Sequence, residues 1–100
     1  MDIQNLFAEK PKIKNITLNI ADKKYPVEVT SNTRKYVFQC RDNVDLKIFE
    51  DENATEYFTL KAGGVIWDDY IYIRQDEKIF FVSCSEANVV CELIFWTGEV

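Results

Sequence analysis

The sequence predicts an all-β domain: a single antiparallel β-sandwich, jelly-roll-like, of eight or nine short strands behind a short N-terminal arm. Three observations predict it. From about Ile13 to Trp96, short runs of alternating apolar and polar residues recur at a spacing of roughly 8–12 residues, the pattern of a sandwich or jelly roll. Turn residues, chiefly Asn, Asp and Ser, separate the runs. Aromatic residues, mostly Phe and Tyr, make up 14% of the chain and suit packed sheets. With 100 residues there is room for one domain with one two-layer core.

Residues 1–12 read as the arm and residues 13–100 as the sandwich. Within the arm Ile3, Leu6 and Phe7 have the i, i+3, i+4 spacing of a helical turn, which Pro11 ends. A segment so short holds no fold of its own. It either folds back on its own sandwich or docks on a neighbouring chain; the second is expected, with Ile3, Leu6 and Phe7 as the partner-binding residues and Phe7 as the anchor.

The strands follow in order. Ile16, Leu18 and Ile20 alternate with Thr17 and Asn19. Tyr25, Val27 and Val29 alternate again, and Pro26 places this run at a sheet edge, because proline has no N–H for the ladder. Lys35–Cys40 is apolar on both faces and reads as a central strand. Val44, Leu46 and Ile48 form the next, then Tyr57–Leu60, Val65–Trp67, Tyr70–Arg74 and Ile79–Cys84. Val89–Trp96 is the longest and most apolar run and is expected at a sheet centre. Phe38, Leu46, Phe58, Phe81 and Leu93 are the expected core. With only three glycines, Asn and Asp must serve many turns, and Gly63-Gly64 marks a turn that needs positive φ.

The net charge is −5 and unevenly spread. Residues 1–47 hold nine Lys/Arg and six Asp/Glu, while residues 48–100 hold three and eleven. An acidic total argues against nucleic acid as a partner, because phosphate binding needs clustered cations. Either the two halves attract each other within the fold, or a basic face meets an acidic face on another copy. No apolar run reaches membrane-spanning length. Met1 to Lys12 is polar and of mixed charge, unlike a signal peptide. Cys40, Cys84 and Cys91 lie in apolar runs without C-x-x-C spacing, so buried reduced thiols in a reducing compartment are expected. A Cys84–Cys91 bridge stays open if the last two strands pair.

The chain has no histidine, which excludes Ser-His and Cys-His nucleophiles and histidine metal sites. Asp68-Asp69, following Trp67, is the best carboxylate pair for acid–base work, but reads more simply as a solvated turn. Glu50-Asp51-Glu52-Asn53 lacks the ligand spacing and glycine of a calcium loop. Gly63-Gly64 leads into no helix and is no phosphate loop. Catalytic residues, metal and cofactors are all expected to be none. Trp67, Tyr70, Tyr72 and Trp96 are the aromatics on which a sugar would stack, although alternating aromatics more often serve a core.

The segments Tyr36-Val37-Phe38-Gln39-Cys40-Arg41, Val44-Asp45-Leu46-Lys47-Ile48, Tyr57-Phe58-Thr59-Leu60-Lys61-Ala62-Gly63-Gly64 and Val89-Val90-Cys91-Glu92-Leu93-Ile94-Phe95-Trp96 resemble those of small β-sandwich virion structural proteins of tailed bacteriophages. The resemblance spans Lys35–Trp96, and its motifs are structural, with no active-site signature. Residues 1–12 and the three cysteines depart from the pattern. The resemblance implies a non-enzymatic protein present in many copies, made in the host cytoplasm and resident in the virion. It would decorate the capsid, anchor a head fibre or sit at the head–tail junction. Its partners would be the major capsid protein, other virion proteins or further copies of itself in a large assembly, with no nucleic acid and no membrane. The alternative expectation is a carbohydrate-binding β-sandwich used in receptor or surface recognition.

Overall fold

The computed structural model describes residues 10–69 and 78–97, and these form two packed antiparallel sheets. Eight strands follow in chain order: β1 (Lys12–Leu18), β2 (Tyr25–Glu28), β3 (Thr33–Cys40), β4 (Leu46–Phe49), β5 (Phe58–Leu60), β6 (Val65–Asp68), β7 (Lys78–Ser83) and β8 (Val89–Thr97). The first sheet has the order β1-β8-β3-β6 and the second β2-β7-β4-β5. First pairs with last, second with seventh, third with sixth and fourth with fifth. The β3–β8 and β4–β7 ladders then join these pairs into sheets. A long hairpin folded on itself and rolled gives this order, which is that of a jelly roll.

The alternation in the sequence becomes the two faces of each sheet. In β8, Val89, Cys91, Leu93 and Phe95 are buried, while the residues between them are partly exposed. The inter-sheet core joins these to Leu18, Val27, Tyr36, Phe38, Leu46, Leu60, Phe80 and Val82. Phe38 meets Phe80 edge to face with ring centroids 5.2 Å apart. β3 and β8 occupy central positions, and Pro26 lies in an edge strand, as the sequence predicts. No helix occurs among the described residues. Asp22, Asn32 and Asn88 take positive φ at turns, as does Gly63. Asn and Asp thus do the work that glycine does elsewhere.

Two sequence expectations are corrected. Phe58 is not in the core: it is 67% exposed. It shares the inner face with Ile48, its ladder partner, but β5 is a three-residue edge strand. Phe58 is the first residue of β5 and stands between two surface grooves, whereas Leu60, two residues on along the same face, is buried. Ile20 likewise lies beyond the end of β1 and is exposed. Its backbone N–H donates to the Tyr25 hydroxyl in the turn leading to β2. Phe38, Leu46 and Leu93 are core residues. Phe81 is buried too, but on the outer face of its sheet beside Phe49, because Phe80 and Val82 fill the inter-sheet positions. The run Tyr70–Arg74 lies outside the described residues.

Candidate functional site

The two outer faces of the sandwich differ. The second sheet's face is covered by the chain itself. The loop of residues 50–57 folds back across it, and the Lys24 ammonium holds it by donating to the carbonyls of Glu52 and Ala54. That ammonium also stands 4.3 Å from the Phe49 ring centroid. Tyr57 packs against Phe49 at 5.8 Å, and Lys47 stands over Tyr57 at 4.8 Å. Two cation–π contacts and an aromatic pair thus fasten the loop.

Among the described residues nothing comparable covers the first sheet. Its register aligns Ile13 with Ile94, Ile94 with Val37, and Val37 with Trp67. Residues directly opposed in a ladder share a face, so these four form one apolar row across all four strands. The inward neighbours of these residues, Leu93, Phe95, Phe38 and Ile66, belong to or pack against the core, which turns the row outward. Three interstrand gaps make it about 14 Å long. Its ends are the most open points, Ile13 at 67% and Trp67 at 62% exposure. On one side Trp96 opposes Lys35, whose ammonium lies 5.1 Å from the indole centroid.

On the other side runs a polar row of Asn15, Glu92 and Gln39. Gln39 Nε2 donates to Glu92 Oε1 at 3.0 Å, and Arg41 Nε to Glu92 Oε2 at 3.0 Å. First the Gln39 hydrogen bond and then the Arg41 guanidinium lower the Glu92 pKa below its ordinary value. The carboxylate is therefore held charged, with both oxygens occupied.

Trp67 also lines a groove of about 570 Å³ at the open edge between β5 and β6, with Ile48, Phe58, Leu60, Val65 and Ile66. An adjoining groove of about 470 Å³ shares Ile48 and Phe58 and reaches Tyr57 and Phe80. Phe58 is the ridge between them. The apolar surface therefore passes from the first sheet's face, around the β6 edge, to the mouth of the sandwich.

The other sequence candidates fall elsewhere. Ile3, Leu6, Phe7, Tyr70 and Tyr72 lie outside the described residues. Asp68 is exposed and Asp69 partly buried, and the Asp69 N–H donates to Asp68 Oδ1 at 2.9 Å. Trp67 makes no apolar wall for them, because it opens to solvent. Asp68 acts instead on Tyr36, whose phenol pKa is raised by burial first and by that carboxylate second. In the loop of residues 50–57 the Asp51 carboxylate caps the turn through the Asn53 N–H at 2.8 Å. Among the described residues no group of three His, Cys, Asp or Glu side chains is placed to hold a metal ion, and no helix is long and apolar enough to cross a membrane. The row itself escaped sequence reading because Val37 and Ile94 belong to strands apolar on both faces and Ile13 stands on the polar face of β1 with Asn15 and Thr17. Only the register shows that their outward residues align. Compared with protein-family models, with curated proteins and with solved structures, the chain matches none of them.

Proposed function

We propose that this chain is a non-enzymatic structural module of a tailed-phage virion, binding a capsid protein or a neighbouring virion protein through the outer face of its first sheet. The observation that carries the binding surface is the aligned row Ile13–Ile94–Val37–Trp67, which no described residue covers, while the loop of residues 50–57 folds over the opposite face. Apolar patches of this kind mark interaction sites on soluble domains. The virion assignment draws on the sequence resemblance. The jelly-roll order supports it only by analogy, since that architecture serves viral capsids and lectins alike. An aromatic flanked by aliphatics, with a polar rim at Glu92, Gln39 and Arg41, suits a protein partner.

The test is density-gradient banding of phage particles made in cells expressing the tagged chain. The chain should band with the particles, and the double substitution Val37→Lys, Ile94→Lys should remain in the soluble fraction with its β-sheet circular dichroism intact. If the unsubstituted chain stays soluble, the virion reading fails. If both forms band alike, the face is wrongly assigned.

One observation favours a second reading. Trp67 presents an exposed indole at the end of the row, beside the groove at the sandwich mouth, and sugars stack on such rings. An oligosaccharide array showing binding that Trp67→Ala abolishes would establish carbohydrate recognition in place of protein contact.

A further inference from the structure

Cys40 in β3 and Cys91 in β8 stand directly opposite each other at the centre of the first sheet. The Arg41 N–H donates to the Val90 carbonyl at 2.9 Å, so the adjacent pair is a hydrogen-bonded one. Hydrogen-bonded and non-hydrogen-bonded pairs alternate along an antiparallel ladder, which makes Cys40 and Cys91 a non-hydrogen-bonded pair. At such pairs the Cα atoms approach to about 4.5 Å and the side chains are closest. That separation lies within the range a disulfide accepts, roughly 4.4–6.8 Å. Both side chains face inward: Cys91 is a core residue, and Cys40 packs against the core. The Cys40 thiol donates to the Val90 carbonyl at 3.6 Å, on the residue beside Cys91 in β8.

We propose that Cys40 and Cys91 form a reversible disulfide that staples the two central strands of the first sheet. The inference is independent of the virion reading. Cys40 is half-buried and is the point of entry, whereas Cys91 and Cys84 are buried. The third thiol is a poorer partner. Cys84 follows β7 in the second sheet, outside the β3–β8 ladder that sets Cys40 opposite Cys91, and its sulfur contacts the Asp45 carbonyl at 3.6 Å and the Glu86 N–H at 3.4 Å.

With glutathione disulfide as oxidant the step balances. The Cys40 thiolate attacks one glutathione sulfur, and the other glutathione leaves as thiolate. Cys91, having lost its proton, then attacks the Cys40 sulfur of the mixed disulfide and expels the second glutathione. Two protein thiols are oxidised to one disulfide, one glutathione disulfide is reduced to two glutathiones, and the two protons pass to the leaving thiolates. Burial raises the pKa of both cysteine thiols, so the exchange is slow at neutral pH and speeds up as the pH rises.

The experiment incubates the folded chain with glutathione disulfide, blocks residual thiols, and maps peptides by mass spectrometry after digestion with trypsin and a glutamyl endopeptidase. Cutting at Glu86 separates Cys84 from Cys91. The expected product is monomeric, has lost two hydrogens, and carries the Cys40–Cys91 linkage in both the unsubstituted chain and Cys84→Ser. It melts several degrees higher than the reduced form, and dithiothreitol reverses the change. Cys40→Ser should show no linkage, and because that position is half-exposed this variant tests the pair even if Cys91→Ser does not fold. A linkage to Cys84, a dimer bridged through Cys40, a mixed glutathione adduct that never resolves, or no loss of hydrogens would each overturn the proposal.

Discussion

Ile48 and Phe58 stand opposite each other in the β4–β5 ladder and point to the same face, yet Ile48 packs on the core while Phe58 is mostly exposed. β4 lies inside its sheet, and β5 is the edge. Edge position alone is not the cause, since Leu60 on the same strand and face is buried; Phe58 is the first residue of its strand and stands between two open grooves. Truncating Phe58 to Ala should therefore cost less than about 1 kcal/mol, as surface substitutions do. Phe38→Ala, at a fully buried site, should cost about 3–5 kcal/mol. Urea unfolding followed by tryptophan fluorescence measures both. A large loss at Phe58 would mean that the rim of the sandwich is closed in solution.

The Glu92 carboxylate titrates below its ordinary range because Gln39 and Arg41 both donate to it. An acid with a lowered folded pKa contributes stability that is present above its unfolded value and lost as the pH falls through its folded value. Gln39→Ala should move the Glu92 titration upward, and so should Arg41→Met, which removes both a hydrogen bond and a charge. Carboxyl-carbon NMR titration reads the shift directly. An unchanged midpoint in Gln39→Ala would show that the cross-strand hydrogen bond is not held in solution.

Burial, first among the causes, pushes the Cys91 thiol from 9.0 up to about 12. The sign is opposite to that of Glu92. An unfolded chain would ionise this thiol from about pH 9, while the folded chain keeps it protonated to about pH 12. Reduced protein should thus lose stability across that window, and the loss should flatten in Cys91→Val. Chemical unfolding at stepped alkaline pH compares the two slopes, and equal slopes would refute the assignment.

The β5–β6 turn holds two glycines with different requirements. Gly63 has φ +82° with open space around it, so its constraint is backbone conformation alone. A Cβ on Gly64 would come within 2.9 Å of both Leu60 Cδ1 and the Lys61 carbonyl oxygen. Gly63→Ala should cost about 1–2 kcal/mol through left-handed strain, and Gly63→Asn should cost less, since Asn and Asp already hold φ of 61–65° at three other turns. Gly64→Ala must displace backbone, so its melting temperature should fall further than that of Gly63→Asn. Thermal unfolding of the three variants ranks them.

The strand pattern was legible because the inward residues of β2, β3 and β8 alternate cleanly with their neighbours. The edge position of Pro26 followed from a missing donor, and the central position of β8 from its length and apolar character. Phe58 was misplaced because periodicity reports which face a side chain takes, not how far it lies from the open end of its strand. Phe81 shows the converse: in a strand apolar on both faces, burial was foreseen but not its side. The row from Ile13 to Trp67 joins four strands remote in sequence. It exists only through register, which periodicity within a single strand does not carry.

Pairing first strand with last has a consequence during synthesis. The ribosome delivers β8 after every other described strand, yet β8 separates β1 from β3 in the finished sheet. Until it emerges, β1 has no neighbour, and β3 shows one open edge and the inward faces of Tyr36 and Phe38. The second sheet, whose strands all precede β8, can begin to assemble earlier. Completion of the fold thus waits for β8, and a messenger truncated before the Val89 codon would leave the first sheet without a central strand and the core with an open apolar face, a substrate for proteases or aggregation.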